Sequence, residues 1–521
     1  MLGVGWPNEH VAFPDFLDTT SQTNDWWSDE LLLFNSSRSG KGGVSSPTTM
    51  QLDMVSASED MVRVSLKYEL ECVSKQNVFL QKQLTVSNRL YFIDAKVHFD
   101  GIWLDMNEPS SFRTNEQQSS YNDGTVSGEM TPLSCPLSGA FSTYDNPSFK
   151  TANAYYYGNK GELSSKTLCM IATTGGGSMT FYNTKNLYGL QQSIATFKAL
   201  KGTTRQILIA RSTFPSSGRY AGHCFAADST GWAGLRGSII AAQEFNLFGI
   251  PYVGSYICGD NSTLDDVELC VRWYQLGAFY SLSSDNVYKD SPSKDPIYNQ
   301  AVAIAAKQAS IFKYRYRPYL YSLHFDVALN GGTVLRPVFF EFPDDSNTVD
   351  IDEQFMWGEA IMVIPVVQQK TVSVSAYLPN ARWYSLRDED YGAEVAAGER
   401  VLNAPNNESI PVLIRGGRSV PRQVPKLSAT TWSTDPFDLL IALDNDGQAS
   451  GQLYWDDGES IVQNFTSHRF YHFSFSFNST TSKSTLEIFA LRHACFFNYD
   501  RYDHIGGGDY GVFNRPPNCR P

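Results

Sequence analysis

The sequence has no run of about 18 uninterrupted apolar residues, the length a membrane-spanning helix requires, so no such helix is expected. Its opening, Met1-Leu-Gly-Val-Gly-Trp6, has neither the basic start nor the apolar length of a secretory signal. Positive charge is in deficit. Lys and Arg number 41 against 54 Asp and Glu, a net −13 with a pI near 5.1. That balance argues against nucleic acid or an anionic membrane surface as partner and suits a neutral ligand.

Signals for metals and cofactors are missing too. Gly175-Gly-Gly177 lacks the Lys-Ser/Thr of a phosphate loop and reads as a turn. His468 and His472 are four apart, but Phe470 to Phe477 alternates like a strand, so the two do not share a helical face. Asp444-Asn-Asp-Gly447 carries its glycine too early for a calcium loop. No metal and no cofactor is expected.

What the chain does have is length for several domains, with 13% aromatic residues, enough for a large core. Five Asn-x-Ser/Thr sites, at Asn35, Asn261, Asn407, Asn464 and Asn478, are mildly suggestive of a lumenal origin. Eight cysteines fit an oxidising compartment, but their connectivity does not follow from the sequence.

The stretch Phe99-Asp-Gly-Ile-Trp-Leu-Asp-Met-Asn-Glu-Pro-Ser-Ser-Phe112 starts apolar and β-prone, then turns polar at Asp105. It reads as a buried parallel strand delivering a carboxylate to its C-terminal end, where barrel enzymes keep their chemistry. Beyond it, Gln206–Ala210 and Tyr252–Cys258 are short apolar strands. Helical patterns occur over Leu235–Phe248 and Ala301–Leu329, giving the strand–helix alternation of an α/β chain. After about Gly331 the pattern becomes short alternating strands with turn signals.

The Phe99–Phe112 string resembles the nucleophile motif of glycoside hydrolase family 31, the α-glucosidases of the maltase-glucoamylase and sucrase-isomaltase type. The resemblance implies a partial (β/α)8 barrel lacking its early strands over residues 1–330, followed by a β-sandwich over 331–425. A partial distal sandwich with a disordered tail would occupy 426–521. Residues 31–98 are an atypical insertion against the family pattern, opening on the linker-like Ser36–Pro47, with Val62–Leu70 a candidate strand. Residues 113–166 form a long polar loop, and His10–Phe16 with Trp26-Trp27 resembles a loop and the start of a helix.

Retaining hydrolysis of an α-glucoside needs two carboxyl groups about 5–5.5 Å apart, one attacking the anomeric carbon and the other protonating the departing oxygen. The resemblance makes Asp105 the nucleophile and places Trp103 and Met106 on the wall of the glucose pocket. Arg211, opening Arg211-Ser-Thr-Phe-Pro-Ser-Ser-Gly-Arg-Tyr-Ala-Gly-His223, resembles the residue that hydrogen-bonds the sugar. It also implies disulfides Cys135–Cys169 and Cys258–Cys270, an extracellular or lumenal setting, and oligosaccharides or disaccharides with terminal α-linked glucose as substrates.

Four positions depart from the family pattern. With His223 and Trp232 in register, Ala227 occupies the acid/base position and Asp228 falls one residue later, as a possible shifted substitute. Tyr256 stands in place of a sugar-binding Asp, Asn286 in place of His and Ser284 in place of Arg. Losing a general acid/base costs about 10²–10⁴-fold, most for poor leaving groups such as the second sugar of maltose. Activity on such substrates is therefore expected to be impaired or lost. A catalytically silent carbohydrate-binding or structural remnant is the alternative, and an incomplete gene model of an active enzyme a third.

Overall fold

A computed structural model describes residues 2–5, 9–18, 20–35, 49–58, 61–67, 101–111, 114–115, 133–156, 160–200, 204–225, 231–258, 266–284, 295–426, 435–481 and 483–492. Two compact units divide the chain: Met1–Gly202 with Gln206–His223, and Thr203–Arg205 with Cys224–Pro521.

In the first unit the strand Gly101–Leu104 lies between two parallel neighbours, Thr49–Ser58 and Ile207–Ala210. Leu104 faces Leu52 on one side and Ala210 on the other. Gly222 and His223 extend the parallel run beside Ile209 and Ala210. Met61–Lys67 pairs antiparallel with Thr49–Ser58, so the stretch read as an insertion supplies the strand beside Gly101–Leu104. Its linker-like opening, Ser36–Pro47, lies outside the described residues. Gly101 is required by close approach: a Cβ there would sit 2.3 Å from Ile207 Cγ2.

Period-2 alternation sends Ile102 and Leu104 into a core with Phe16, Trp27, Leu168, Phe181 and Leu208, while Trp103 takes the other face. Each such fully buried side chain contributes about 1.5–3 kcal/mol. The helices Gln22–Asn35 and Tyr188–Ala199 close over this core, and buried Trp27 Nε1 donates to Thr196 Oγ1 at 2.8 Å. Ahead of them Glu9–Ala12 pairs with Leu2–Gly5, so the segment read as a loop from His10 begins as strand.

The second unit continues the α/β alternation. Val253–Tyr256 and Leu282–Ser284 are parallel, and Gly231–Leu247 buries Leu235, Ile239 and Ala242 at helical spacing. The pattern from Ala301 to Leu329 is two helices, Gln300–Arg315 and Arg317–Asn330, because Pro318 cannot continue the first and is well placed to start the second. Two further sheets follow, the first antiparallel and the second mixed, with Arg418–Arg422 parallel to Gln448–Trp455. Six strands run in the order Leu335–Pro337, Phe355–Trp357, Ile361–Val363, Val412–Arg415, Trp383–Ser385 and Glu394–Val395. Five more run Asp438–Ala442, Arg418–Arg422, Gln448–Trp455, Tyr471–Ser479 and Ser484–Arg492. The α/β class, the barrel-type parallel strands and the later sandwich sheets agree with the sequence reading.

Polar residues tie the helices of this unit to its sheets. Buried Arg272, on the helix Val267–Gly277, donates Nη2 to Ala404 O at 2.7 Å and Thr371 O at 2.9 Å. Asp456 is buried among Arg205, Tyr321 and His468, with Arg205 Nη2 at 2.6 Å and His468 Nε2 at 2.8 Å. His472 instead sits on the Tyr471–Ser479 strand, its ring stacked 3.9 Å from that of Tyr454. The tail read as disordered lies outside the described residues.

Candidate active site

Asp105 follows the last residue of its strand, and Arg211 follows the last residue of the next one. The Leu104–Ala210 register therefore sets the two side by side, and Arg211 N–H extends the ladder to Leu104 O at 3.0 Å. Arg211 Nη1 donates to Asp105 Oδ1 at 3.3 Å, and the Met106 N–H donates to the same oxygen at 2.9 Å. The Asp105 side chain is only 8% exposed. Burial pushes its pKa above the usual carboxylate range, while the Arg211 charge and the Met106 N–H pull the other way.

Met106 has φ +54°, in the left-handed region that side chains with a Cβ rarely adopt. That conformation turns the chain sharply just past the carboxylate. The turn is held on its far side by Asn107, whose Oδ1 accepts from Ser212 N–H at 2.7 Å. Gly189, in the first turn of the Tyr188–Ala199 helix, lets that helix approach both strand ends: a Cβ would lie 2.5 Å from Ser212 O and 3.0 Å from Asn107 O.

Glu108 is a site residue the sequence reading passed over. Its Oε1 is 3.1 Å from Arg211 Nε and its Oε2 accepts from Ser110 Oγ at 2.7 Å. Arg211 thus grips two carboxylates at once, Asp105 and Glu108, in the forked geometry that a guanidinium allows. The charge of Glu108 also acts on Lys185, favouring its protonated form against burial, which lowers the Lys185 pKa overall. The available signal was the spacing: a Glu three residues past the strand-end Asp, on the same turn.

Trp103 shares a strand face with Asp105, two residues away, and is 8% exposed. His223, opposite Ala210, has Nδ1 3.1 Å from Thr213 Oγ1, and burial drives its pKa down to about 3. The strand ends thus gather Asp105, Arg211, Glu108, Trp103 and Met106 in the first unit. Such a cluster presents one buried carboxylate biased by a fixed cation, suited to covalent attack on an electrophilic carbon.

In the second unit Tyr256 ends the strand Val253–Tyr256, buried and paired with Ser284. Cys258 is bonded to Cys270, with Cα atoms 4.4 Å apart. Asp266 caps the helix Val267–Gly277 through Leu269 N–H at 3.0 Å and accepts from Trp232 Nε1 at 3.0 Å. In the first unit Cys135 is bonded to Cys169, with Cα atoms 5.2 Å apart. Ala227, Asp228 and Asn286 lie outside the described residues. Among the described residues no helix is long and apolar enough to cross a membrane.

Comparison with known proteins matches residues 75–323 to the TIM-barrel domain of glycosyl hydrolases family 31, and residues 331–420 to the C-terminal domain of the same family. The chain is 38% identical over 378 residues to the human probable maltase-glucoamylase 2, covering 71% of this chain and 14% of that protein. It is 35% identical over 481 residues to the rat (Rattus norvegicus) lysosomal alpha-glucosidase, covering 88% of this chain and 41% of that protein. The chain thus spans less than half the length of either relative. Among solved structures, a family 31 dextranase of Flavobacterium johnsoniae complexed with glucose superposes with a TM-score of 0.58 at 20% identity. That match covers 74% of this chain and 43% of the dextranase. The heterodimeric ER glucosidase II complex matches with a TM-score of 0.58 at 24% identity, over 73% of this chain and 36% of its own. These two likenesses speak to the fold.

Proposed function

The chain belongs to glycoside hydrolase family 31, and from that premise we propose that it engages terminal α-linked glucose and performs only the nucleophilic half of a retaining reaction. Asp105 attacks the anomeric carbon. The C1–O bond to the departing group breaks as the Asp105–C1 bond forms, and the departing oxygen leaves with the electron pair. Arg211 and the Met106 N–H favour the ionised carboxylate and fix its direction. Trp103 and Met106 line the sugar, and in the sequence Tyr256 and Asn286 stand where the family pattern has polar anchors.

A departing alkoxide needs a proton, and Ala227 has none to give. Aryl oxides and fluoride leave as stable anions without it, whereas the second sugar of maltose does not. The observation that carries this reading is the seat of Asp105, buried at a strand end and bonded to Arg211. The His223-to-Trp232 spacing in the sequence supports the missing donor. A lumenal or extracellular setting is supported by the Cys135–Cys169 and Cys258–Cys270 bonds and by the exposed sequons at Asn407, Asn464 and Asn478.

Hydrolysis of 4-nitrophenyl α-glucoside with and without azide tests the proposal. The expected result is cleavage accelerated by azide, a glucosyl azide of retained configuration, and no turnover of maltose. A protein that cleaves neither substrate, with or without azide, is a silent carbohydrate-binding remnant. Maltose cleavage that disappears in Asp228→Ala would make Asp228 the acid.

A further inference from the structure

Residues 138–156, in the long loop after the nucleophile strand, carry an unusual surface. Phe141 is 61% exposed, Phe149 81%, Tyr155 49% and Tyr156 63%. The segment contains no Leu, Ile, Val or Met at all. Between the rings stand Ser, Thr and Asn side chains.

The segment is also anchored. Buried Asp145 accepts from Ser164 N–H at 2.7 Å through Oδ1, and its carbonyl accepts from Leu163 N–H at 3.2 Å. Just beyond Ser164, Thr167 Oγ1 donates to Pro109 O at 2.6 Å and Ser111 N–H donates to Lys166 O at 2.9 Å. The aromatic segment is thereby fastened to the turn that follows Asp105. Lys150 Nζ donates to Asn146 Oδ1 at 2.8 Å and lies 5.8 Å from the centre of the Tyr155 ring. The ring's other neighbour is Gly161, where a Cβ would meet Tyr155 Cε1 at 2.5 Å; only glycine leaves the ring its place.

Aromatic side chains turn about only two bonds and so lose little freedom on binding, which favours recognition. The chemistry of the surface selects what is recognised. A lipid surface would be met by an aliphatic face as well, and residues 138–156 hold no Leu, Ile, Val or Met. A pyranose offers an apolar C–H face ringed by hydroxyls, which suits aromatic planes interleaved with amides and hydroxyls. The net charge of −13 further favours an uncharged ligand.

We propose that residues 138–156 form a surface binding site for α-glucan chains, with Phe149 and Tyr156 as stacking platforms. The inference rests on the α-glucoside reading for its choice of sugar but not on turnover. Affinity electrophoresis of the full chain in gels containing soluble amylopectin tests it, with a mixed-linkage β-glucan as the comparison polysaccharide. Retardation by amylopectin is expected, weakened about tenfold in the Phe149→Ala/Tyr156→Ala double variant, with 4-nitrophenyl α-glucoside hydrolysis and thermal midpoint unchanged. Gly161→Ala, which displaces the Tyr155 ring, should weaken retardation in the same direction. No retardation by amylopectin, equal retardation by the β-glucan, or undiminished retardation of the double variant would each overturn the proposal. Retardation lost in the double variant supports the site even if the wild-type chain hydrolyses no aryl glucoside, so failure of the catalytic reading is recognised separately.

Discussion

Arg211 reaches Asp105 at 3.3 Å across the ends of two neighbouring parallel strands, while its Nε holds Glu108 at 3.1 Å. Burial raises the Asp105 pKa and Arg211 opposes that rise. Replacing Arg211 with Met removes the opposition. The acid limb of the pH profile for aryl glucoside cleavage should then move toward higher pH, by roughly one to three pH units. Arg211→Lys should move it less. A profile that keeps its acid limb in Arg211→Met would show that the two groups do not interact in solution.

Glu108 touches Arg211 rather than forming the Asp105 seat itself, so its removal should act through the guanidinium. Glu108→Gln keeps the hydrogen-bonding shape and should lower kcat/KM for the aryl glucoside by about tenfold, with the pH profile also altered. Glu108→Ala frees Arg211 and should cost more. Equal rates in all three proteins would remove Glu108 from the site.

On the proposed reading, Ala227→Asp supplies the proton donor and should create maltose cleavage, a gain on the order of 10²–10⁴-fold on the unactivated substrate. Product analysis of maltose digests reads it directly. Asp228→Ala in the parent should leave aryl glucoside hydrolysis unchanged.

His223 has a folded-state pKa of about 3, below its ordinary 6.5, because burial disfavours the charged ring. Its neutral form is the one that suits the fold. Its contribution is therefore complete above pH 6.5 and is lost as pH falls through the window down to about 3. At pH 5 the loss is about 2 kcal/mol at most. Urea midpoints measured at pH 7 and pH 5 should diverge in the wild type and converge in His223→Gln.

Breaking the buried group around Asp456 is expected to be costly. Asp456→Asn leaves Arg205 and His468 without their carboxylate and should lower unfolding free energy by about 3 kcal/mol, read as a shift in the urea midpoint. The aryl glucoside rate of the protein that remains folded should not change.

Much of this arrangement was legible in the order of residues. The apolar run before Asp105 and the one before Arg211 each read as a strand with a polar end, and the family resemblance placed Trp103 beside Asp105. The pairing of Thr49–Ser58 with Gly101–Leu104 was not legible, because parallel partners meet through non-local hydrogen bonds that leave no local pattern. Glu108 was missed for a related reason. Its grip on Arg211 depends on the register of two strands more than a hundred residues apart, which composition does not encode. The break at Tyr316 could have been found, since Pro318 was in plain view.

The guanidinium of Arg272 ends on carbonyls of Thr371 and Ala404, well past the last long helix. A polypeptide stopped at residue 330 would leave that cation with Gln275 Oε1 at 3.0 Å but without the two carbonyls that hold its Nη2. The later sheets are in this sense part of the solvent in which the Val267–Gly277 helix is stable. Limited proteolysis should therefore release no long-lived fragment ending near that boundary, and the helices and sheets of this unit should melt in one transition.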